Sequence, residues 1–288
     1  MMNDRPIRHI LFATDFTARC DRAQDRAVQL AVAWGASLTV VHALEPGGAT
    51  DNAGHGEIPM LIAREAQRLR EELSTVEGLA ARVIVRRGTP LDLVREILSE
   101  DPAGLIVTGI SRHDSLGRAI LGSTTATLIR TIGVPVLVVK RRPIDAGGNV
   151  VFATDLSENS ASAVRTGRDW LRPAAPVLFH VVDPPFRGWA EDRAGYLNQL
   201  RAESAAQCRR FLDGAVGTEA AKEFSVIVET GEPPLALAAY VIETDADMVV
   251  VGTEARTGML GVLVGSVASG ILDEVPCDVL VLPAITFA

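Results

Sequence analysis

ILFATDF at Ile10–Phe16 returns as VVFATDL at Val150–Leu156. Further matches continue this seven-residue echo in the same order along the chain. VVHALEP, ending at Pro46, is answered by LFHVVDP, ending at Pro184, which pairs His42 with His180 and Glu45 with Asp183. Gly109–Val139 and Gly252–Leu282 then align without a gap at a constant offset of 143 positions (252 minus 109), so that LGSTTATLI meets VGSVASGIL. The chain reads as two tandem copies of one domain, 1–142 and 148–288. The boundary falls in KRRPIDAGGN, Lys140–Asn149. Its charge, proline and glycines suit an exposed connection.

Within each copy, short β-branched runs alternate with longer helical patterns, the sequence form of βαβ units around a parallel sheet. Five strands are predicted in the first copy, near Ile7–Ala13, Ser37–Ala43, Ala81–Arg86, Leu105–Thr108 and Val136–Val139. In the second they fall near Asn149–Ala153, Pro176–Val182, Phe224–Glu229, Met248–Val251 and Asp278–Leu282. Between the first two strands, Ala23, Ala27, Leu30, Ala31 and Trp34 share one helical face, which can cover the sheet. The fold class expected is α/β: two tandem doubly wound domains, each a five-stranded parallel sheet with helices on both faces, joined by right-handed crossovers.

Composition narrows the partners. The formal charge of −8 and pI near 5.2 oppose a nucleic-acid partner, which requires a basic footprint. Cys20, Cys208 and Cys277 stand far apart with no C-x-x-C, which suits a reducing compartment. The apolar part of MMNDRPIRHILFATDF is too short for a signal peptide and meets charge at Asp15, so a cytoplasmic location is expected. The longest uncharged stretch, Thr257–Leu272, carries Gly and Ser and falls short of the roughly 20 apolar residues of a membrane span. It reads as a buried loop and helix, with no membrane partner.

The segment with the most chemistry is TGISRHDSLGRAILGST, Thr108–Thr124, matched by VGTEARTGMLGVLVGSV, Val251–Val267. Each follows the fourth strand of its copy and leads into a helix. A glycine-rich loop lets backbone N–H groups approach phosphate oxygens, and the helix starting at Gly122-Ser123 or Gly265-Ser266 adds its positive dipole end. In an open parallel sheet this loop lies at the carboxyl ends of the strands, where strand order reverses and ligands sit. Asp15 and Asp155 would reach the same crevice.

In these residues the chain resembles the universal stress protein family. Its nucleotide motif is a glycine, two residues, a glycine, nine residues, then glycine with serine or threonine. Gly109 with Gly122-Ser123, and Gly252 with Gly265-Ser266, keep that spacing, while Arg112 and Ala255 replace the middle glycine. The resemblance extends to the ATDF and ATDL segments, the histidine on strand two, and the closing VPVLVV and CDVLVL strands. It implies a stress-response module binding an adenine nucleotide, ATP with Mg2+ on its phosphates, and no enzymatic turnover. Carried across by position, one site would be Ala13, Asp15, Ala43, Thr108, Gly109, Arg112, Gly122, Ser123 and Thr124. The other would be Ala153, Asp155, Val181, Val251, Gly252, Ala255, Gly265, Ser266 and Val267. The acids would hold the adenosine part.

Other readings stay open at this level. The glycine loops also suit tight turns without a ligand, and the two aspartates suit helix caps. A ligand-free scaffold of the same fold, acting through protein contacts, is the alternative function, favoured by the lost glycine. Slow nucleotide hydrolysis lacks an identifiable base. His42 with Glu45, or His180 with Asp183, makes a poor metal set, and Cys20 and Cys277 lack neighbours that would activate a thiol. The lysines, Lys140 and Lys222, do not follow glycine, so no Walker phosphate loop exists. Neither a G-x-S-x-G elbow nor an H-E-x-x-H helix is present. Between the copies, the second is expected to bind better: Ala255 adds one methyl where Arg112 adds a long cation, and Val181 matches the family's adenine-lining residue better than Ala43. The opposing reading swings Arg112 onto the phosphates.

The final strands, Val134–Val139 and Cys277–Leu282, are apolar, and in single-domain relatives such edges pair between subunits. Here the two copies are expected to pair within one chain as a pseudo-dimer, since tethering raises their effective concentration. Homodimerisation of whole chains stays open. Halves separated at Gly147-Gly148 should reassociate in gel filtration, and stable independent monomers would contradict this.

Overall fold

In this computed structural model the described residues are 7–45, 57–110, 112–113, 119–143, 148–183, 193–255, 262–263 and 265–283. They divide between two compact units, the main body of the second beginning at Gly147.

In the first unit β1 (His9–Ala13) leads through a 3-10 turn to α1 (Asp21–Trp34) and β2 (Ser37–Leu44). Then follow α2 (Glu57–Ser74), β3 (Ala81–Arg87), α3 (Pro90–Glu100), β4 (Leu105–Gly109), two short strands β5 (Arg112–His113) and β6 (Ala119–Ile120), α4 (Ser123–Thr131) and β7 (Val136–Val139). Strand order within the unit is β3-β2-β1-β4-β7. Neighbours in this order run parallel, with Ile10 opposite both Leu38 and Leu105, Leu38 opposite Ala81, and Ile106 opposite Val136. Strand order therefore reverses between β1 and β4.

The second unit repeats this plan. Its elements are β8 (Val150–Thr154), α5 (Glu158–Leu171), β9 (Val177–Val182), α6 (Arg193–Val216), α7 (Thr218–Ala221), β10 (Ser225–Thr230) and α8 (Pro233–Thr244). They continue with β11 (Met248–Gly252), β12 (Glu254–Ala255), β13 (Val262–Leu263), α9 (Ser266–Glu274) and β14 (Asp278–Leu282). The order β10-β9-β8-β11-β14 is again parallel throughout.

Two parallel five-stranded sheets with interleaved helices were expected, and strand ends fall within two residues of the sequence reading. The reason is burial. Strands covered on both faces read as continuous apolar runs, and LIVTG of β4 and VLVV of β7 are buried at every position. On α1, Ala23, Ala27, Leu30 and Ala31 are buried as the periodicity required, while Trp34 is only half-buried and Arg26 joins the buried face. The motif loop of the second unit departs from the loop reading. Glu254 and Ala255 pair antiparallel with Leu263 and Val262, so part of that segment is a two-strand ribbon. No described helix is long and apolar enough to cross a membrane.

Close packing of α5 on its sheet depends on Gly167. A Cβ there would stand 2.9 Å from Phe152 Cε1 and 3.0 Å from Val250 Cγ1. Alanine normally stabilises a helix interior by about 1 kcal/mol relative to glycine. Here overpacking outweighs that gain, and Gly167→Ala should lower stability by about 1–2 kcal/mol in urea denaturation. An unchanged or raised midpoint would show that the sheet yields.

Candidate functional site

Both ATD segments build the same turn. Past β1, the Thr14 hydroxyl accepts from the Phe16 amide at 3.0 Å, and Asp15 Oδ1 accepts from the Thr17 amide at 2.8 Å. Past β8, Thr154 accepts from the Leu156 amide at 2.9 Å and Asp155 from the Ser157 amide at 3.0 Å. These side chains hold Phe16 and Leu156 in the left-handed region, at φ 57° and 65°, where residues with a Cβ are strained. Neither aspartate is the N-cap of the helix that follows. Ser157 caps α5 by accepting from the Ser160 amide at 3.2 Å, and α1 has Cys20 at its N-cap. The aspartates instead serve Asx turns that aim the chain out of the sheet. The strand-two histidines brace the same turns. His42 Nδ1 lies 2.9 Å from the Thr14 carbonyl, and His180 Nδ1 lies 2.9 Å from the Thr154 carbonyl. A carbonyl can only accept, so in each ring Nδ1 carries the proton and donates.

The first motif glycine works by close approach. A Cβ on Gly109 would stand 3.3 Å from the Arg19 carbonyl, and one on Gly252 would stand 3.1 Å from the Asn159 carbonyl. Glycine lets the end of β4 or β11 lie directly against the start of the helix after the first strand. The later glycines act differently. Gly122 and Gly265 are the N-caps of α4 and α9, in extended backbone at φ −70° and −60°, and neither supplies a side-chain cap. The first-turn amides of both helices are left without one, which together with the helix dipole favours an anion.

A cleft lies at this end of each sheet. The first, about 440 Å3, brings together eight of the nine residues expected there: Ala13, Asp15, Ala43, Thr108, Gly109, Gly122, Ser123 and Thr124. The second, about 370 Å3, brings together Ala153, Asp155, Val181, Val251, Gly252, Gly265, Ser266 and Val267. The backbones of Arg112 and Ala255 sit in β5 and β12, and their side chains lie outside the described residues. The sequence reading missed several wall residues. Pro90 with Leu93, and Pro233 with Leu237, come from α3 and α8. His42, His180, Cys20 and Thr253 also line the clefts. The repeat offset of 143 that pairs the glycines also pairs Pro90 with Pro233, a signal that could have found both.

A sequence profile of the universal stress protein family matches residues 6–140 and again 148–283. The chain belongs to this family. A universal stress protein of Mycolicibacterium smegmatis is 27% identical over an alignment 299 positions long, spanning 95% of this chain and 96% of that one. One from Mycobacterium tuberculosis is 26% identical over 283, spanning 87% and 91%. Among solved structures, a functionally unknown protein of Pseudomonas aeruginosa PAO1 superposes with a TM-score of 0.68 at 22% identity, over 96% of this chain and 93% of that chain. A putative universal stress protein of P. aeruginosa UCBPP-PA14 gives 0.66 at 23% identity over the same shares. At these identities the structures show the shared fold.

The two clefts of this universal stress protein differ in electrostatic detail. Asp15 Oδ1 accepts from the Thr17 amide, from the Thr17 hydroxyl at 2.6 Å and from the Cys20 thiol at 3.2 Å, with Arg19 3.9 Å from the other oxygen. Asp155 takes the Ser157 amide and is also stabilised by the Ser157 and Ser160 side chains. Partial burial works to raise both carboxyl pKa values, but the hydrogen bonds from Thr17 and Ser157 outweigh it and hold both below the ordinary value. Burial also pushes the Cys20 thiol up to about 11, and the Asp15 charge adds to it, so this cleft cysteine is protonated at neutral pH. Among the described residues, no cluster of three or more His, Cys, Asp or Glu could hold a metal.

For the aspartates, a depressed folded pKa means stability fully present above the unfolded value near 3.9 and lost as pH falls through the folded value. Both carboxylates are well exposed, so solvent screening keeps each contribution small. Asp15→Asn and Asp155→Asn keep the Oδ1 acceptor and lose only the charge, so each should cost at most about 0.5 kcal/mol at pH 7, the difference from wild type disappearing as pH falls through the folded carboxyl pKa. A cost that is independent of pH in denaturation curves would assign the effect to packing.

Proposed function

We propose that the protein is a stress-response module that binds an adenine nucleotide, ATP with Mg2+ on its phosphates, in its strand-end clefts. The observation that carries this reading is the pairing, in each cleft, of a glycine-led helix start that no side chain caps with a carboxylate just past the first strand. The helix start suits phosphate oxygens, and the carboxylate suits the hydroxyl groups of a ribose. Both cleft volumes fall in the range of small-molecule sites. Mg2+ would be held chiefly by phosphate oxygens and water, as is usual for nucleotide-bound magnesium. Binding rather than turnover is proposed, and in the first cleft the Cys20 thiol, hydrogen-bonded to Asp15 and held protonated, does not serve as a nucleophile. Pairing of the two domains within one chain belongs to the same reading and rests on the sequence of the final strands.

Of the two, the second cleft is proposed as the better site. Ala255 adds one methyl where Arg112 brings a long cation, and Val181 stands where the first cleft has Ala43. One observation favours the ligand-free scaffold instead. The middle motif glycine is replaced in both copies, and a Cβ at that position narrows the loop that would wrap the phosphates.

Denaturing the purified protein and measuring released adenine nucleotide, with ATP calorimetry on the emptied protein, tests the reading. Release of nucleotide and Mg2+-dependent ATP binding are expected, and neither would be seen for a scaffold. A Cβ at Gly265 meets nothing within 4 Å among the described residues, so Gly265→Val should act on the ligand rather than on the fold. Gly265→Val and Asp155→Ala should each weaken ATP binding about tenfold or more. Gly122→Val and Asp15→Ala should have the smaller effect. The reverse order would make the first cleft the main site.

A further inference from the structure

Thr253 is 2% exposed, lines the second cleft, and its hydroxyl has no hydrogen-bond partner among the described residues. A buried hydroxyl left unpaired is destabilising, and native structures hold few of them. Its backbone is fixed, since the Thr253 amide donates to the Leu282 carbonyl at 3.0 Å. Its direction follows from its neighbours. A Cβ on Gly252 would point at Asn159 and Ala163 on α5, so alternation along the extended chain turns Val251 and Thr253 to the opposite face. The first unit shows what that face meets. Thr108, the counterpart of Val251, hydrogen-bonds there to Thr125 on α4 at 2.7 Å. Two residues further along, Thr253 therefore points toward the first turn of α9, where Gly265 and Ser266 line the same cleft.

We infer that Thr253 is a ligand-binding residue, its hydroxyl donating to a phosphate oxygen that the amides at the start of α9 also hold. This rests on the adenine-nucleotide reading above and narrows it to a polyphosphate contact that exists in one cleft only. At the matching position, 253 minus 143, the first unit has Ile110, which is buried and cannot donate. There the polar groups are already spent on each other, Thr108 against Thr125, where the second unit has Val251 and Ala268. The second cleft thus keeps an unsatisfied donor beside an anion-favouring helix start, a stability cost of the kind that binding sites retain.

The test compares wild type with Thr253→Val and Thr253→Ser, by calorimetry with ATP, inorganic tripolyphosphate and adenosine, and by melting without ligand. Valine removes the orphan hydroxyl at constant shape, so the ligand-free melting temperature should rise by about 2–4 °C. ATP and tripolyphosphate should each bind about tenfold more weakly to Thr253→Val, and adenosine within about twofold of wild type. Thr253→Ser, which keeps the donor, should restore the phosphate affinities. ATP binding equal in wild type and Thr253→Val would overturn the inference while leaving the nucleotide reading in place. Thr253-dependent tripolyphosphate binding with ATP no tighter would support the inference and sink the adenine part of that reading. Wild-type protein that binds neither ATP nor tripolyphosphate would overturn both.

Discussion

Backbone contact at one glycine governs each domain. Where β4 or β11 ends, Gly109 or Gly252 lies so close to the helix after the first strand that an added Cβ would press on a carbonyl at 3.3 or 3.1 Å. This contact brings the ends of two neighbouring parallel strands and the start of one helix to a single corner. The reversal of strand order opens a crevice at that corner, because the connections leave in opposite directions. The turn past β1, the glycine-led helix and the cleft between them are all placed from it.

The turn is the second fixed part. Two side-chain acceptors, Thr14 with Asp15 and Thr154 with Asp155, stabilise a left-handed residue that the backbone alone would disfavour. A histidine from the neighbouring strand then pins the carbonyl of the same threonine. The carboxylate is thereby held at the cleft mouth by bonds to one of its oxygens, in a conformation that pays for itself only because three elements agree. Strain held in this way at a cleft is a common feature of binding sites.

Duplication allowed the two corners to diverge while the frame stayed the same. In the first unit the hydroxyls of Thr108 and Thr125 satisfy one another inside the domain. In the second, the corresponding Val251 and Ala268 are apolar, and the polar atom has moved two positions along the chain to Thr253, where no described residue offers it a partner. Equal folds thus carry unequal chemistry. Asp15 has the Cys20 thiol and Arg19 beside it, where Asp155 has Ser157 and Ser160.

Sequence alone determined the duplication, the parallel sheets and the helix starts at Ser123 and Ser266, because period, β-branched runs and glycine position are local properties of the chain. It also gathered sixteen of the eighteen expected residues at the two clefts, since spacing between strand end and helix start carries over from copy to copy. Tertiary structure decided what each residue does there. Asp15 and Asp155, which read equally well as helix caps, serve turns, and the first motif glycine is spent on a backbone contact with a segment some hundred residues away. That the histidines hold carbonyls on the neighbouring strand, and that Thr253 is buried without a partner among the described residues, follow from which face of a strand meets which helix. Those are through-space relations, set only when distant segments pack, and no spacing along the chain encodes them.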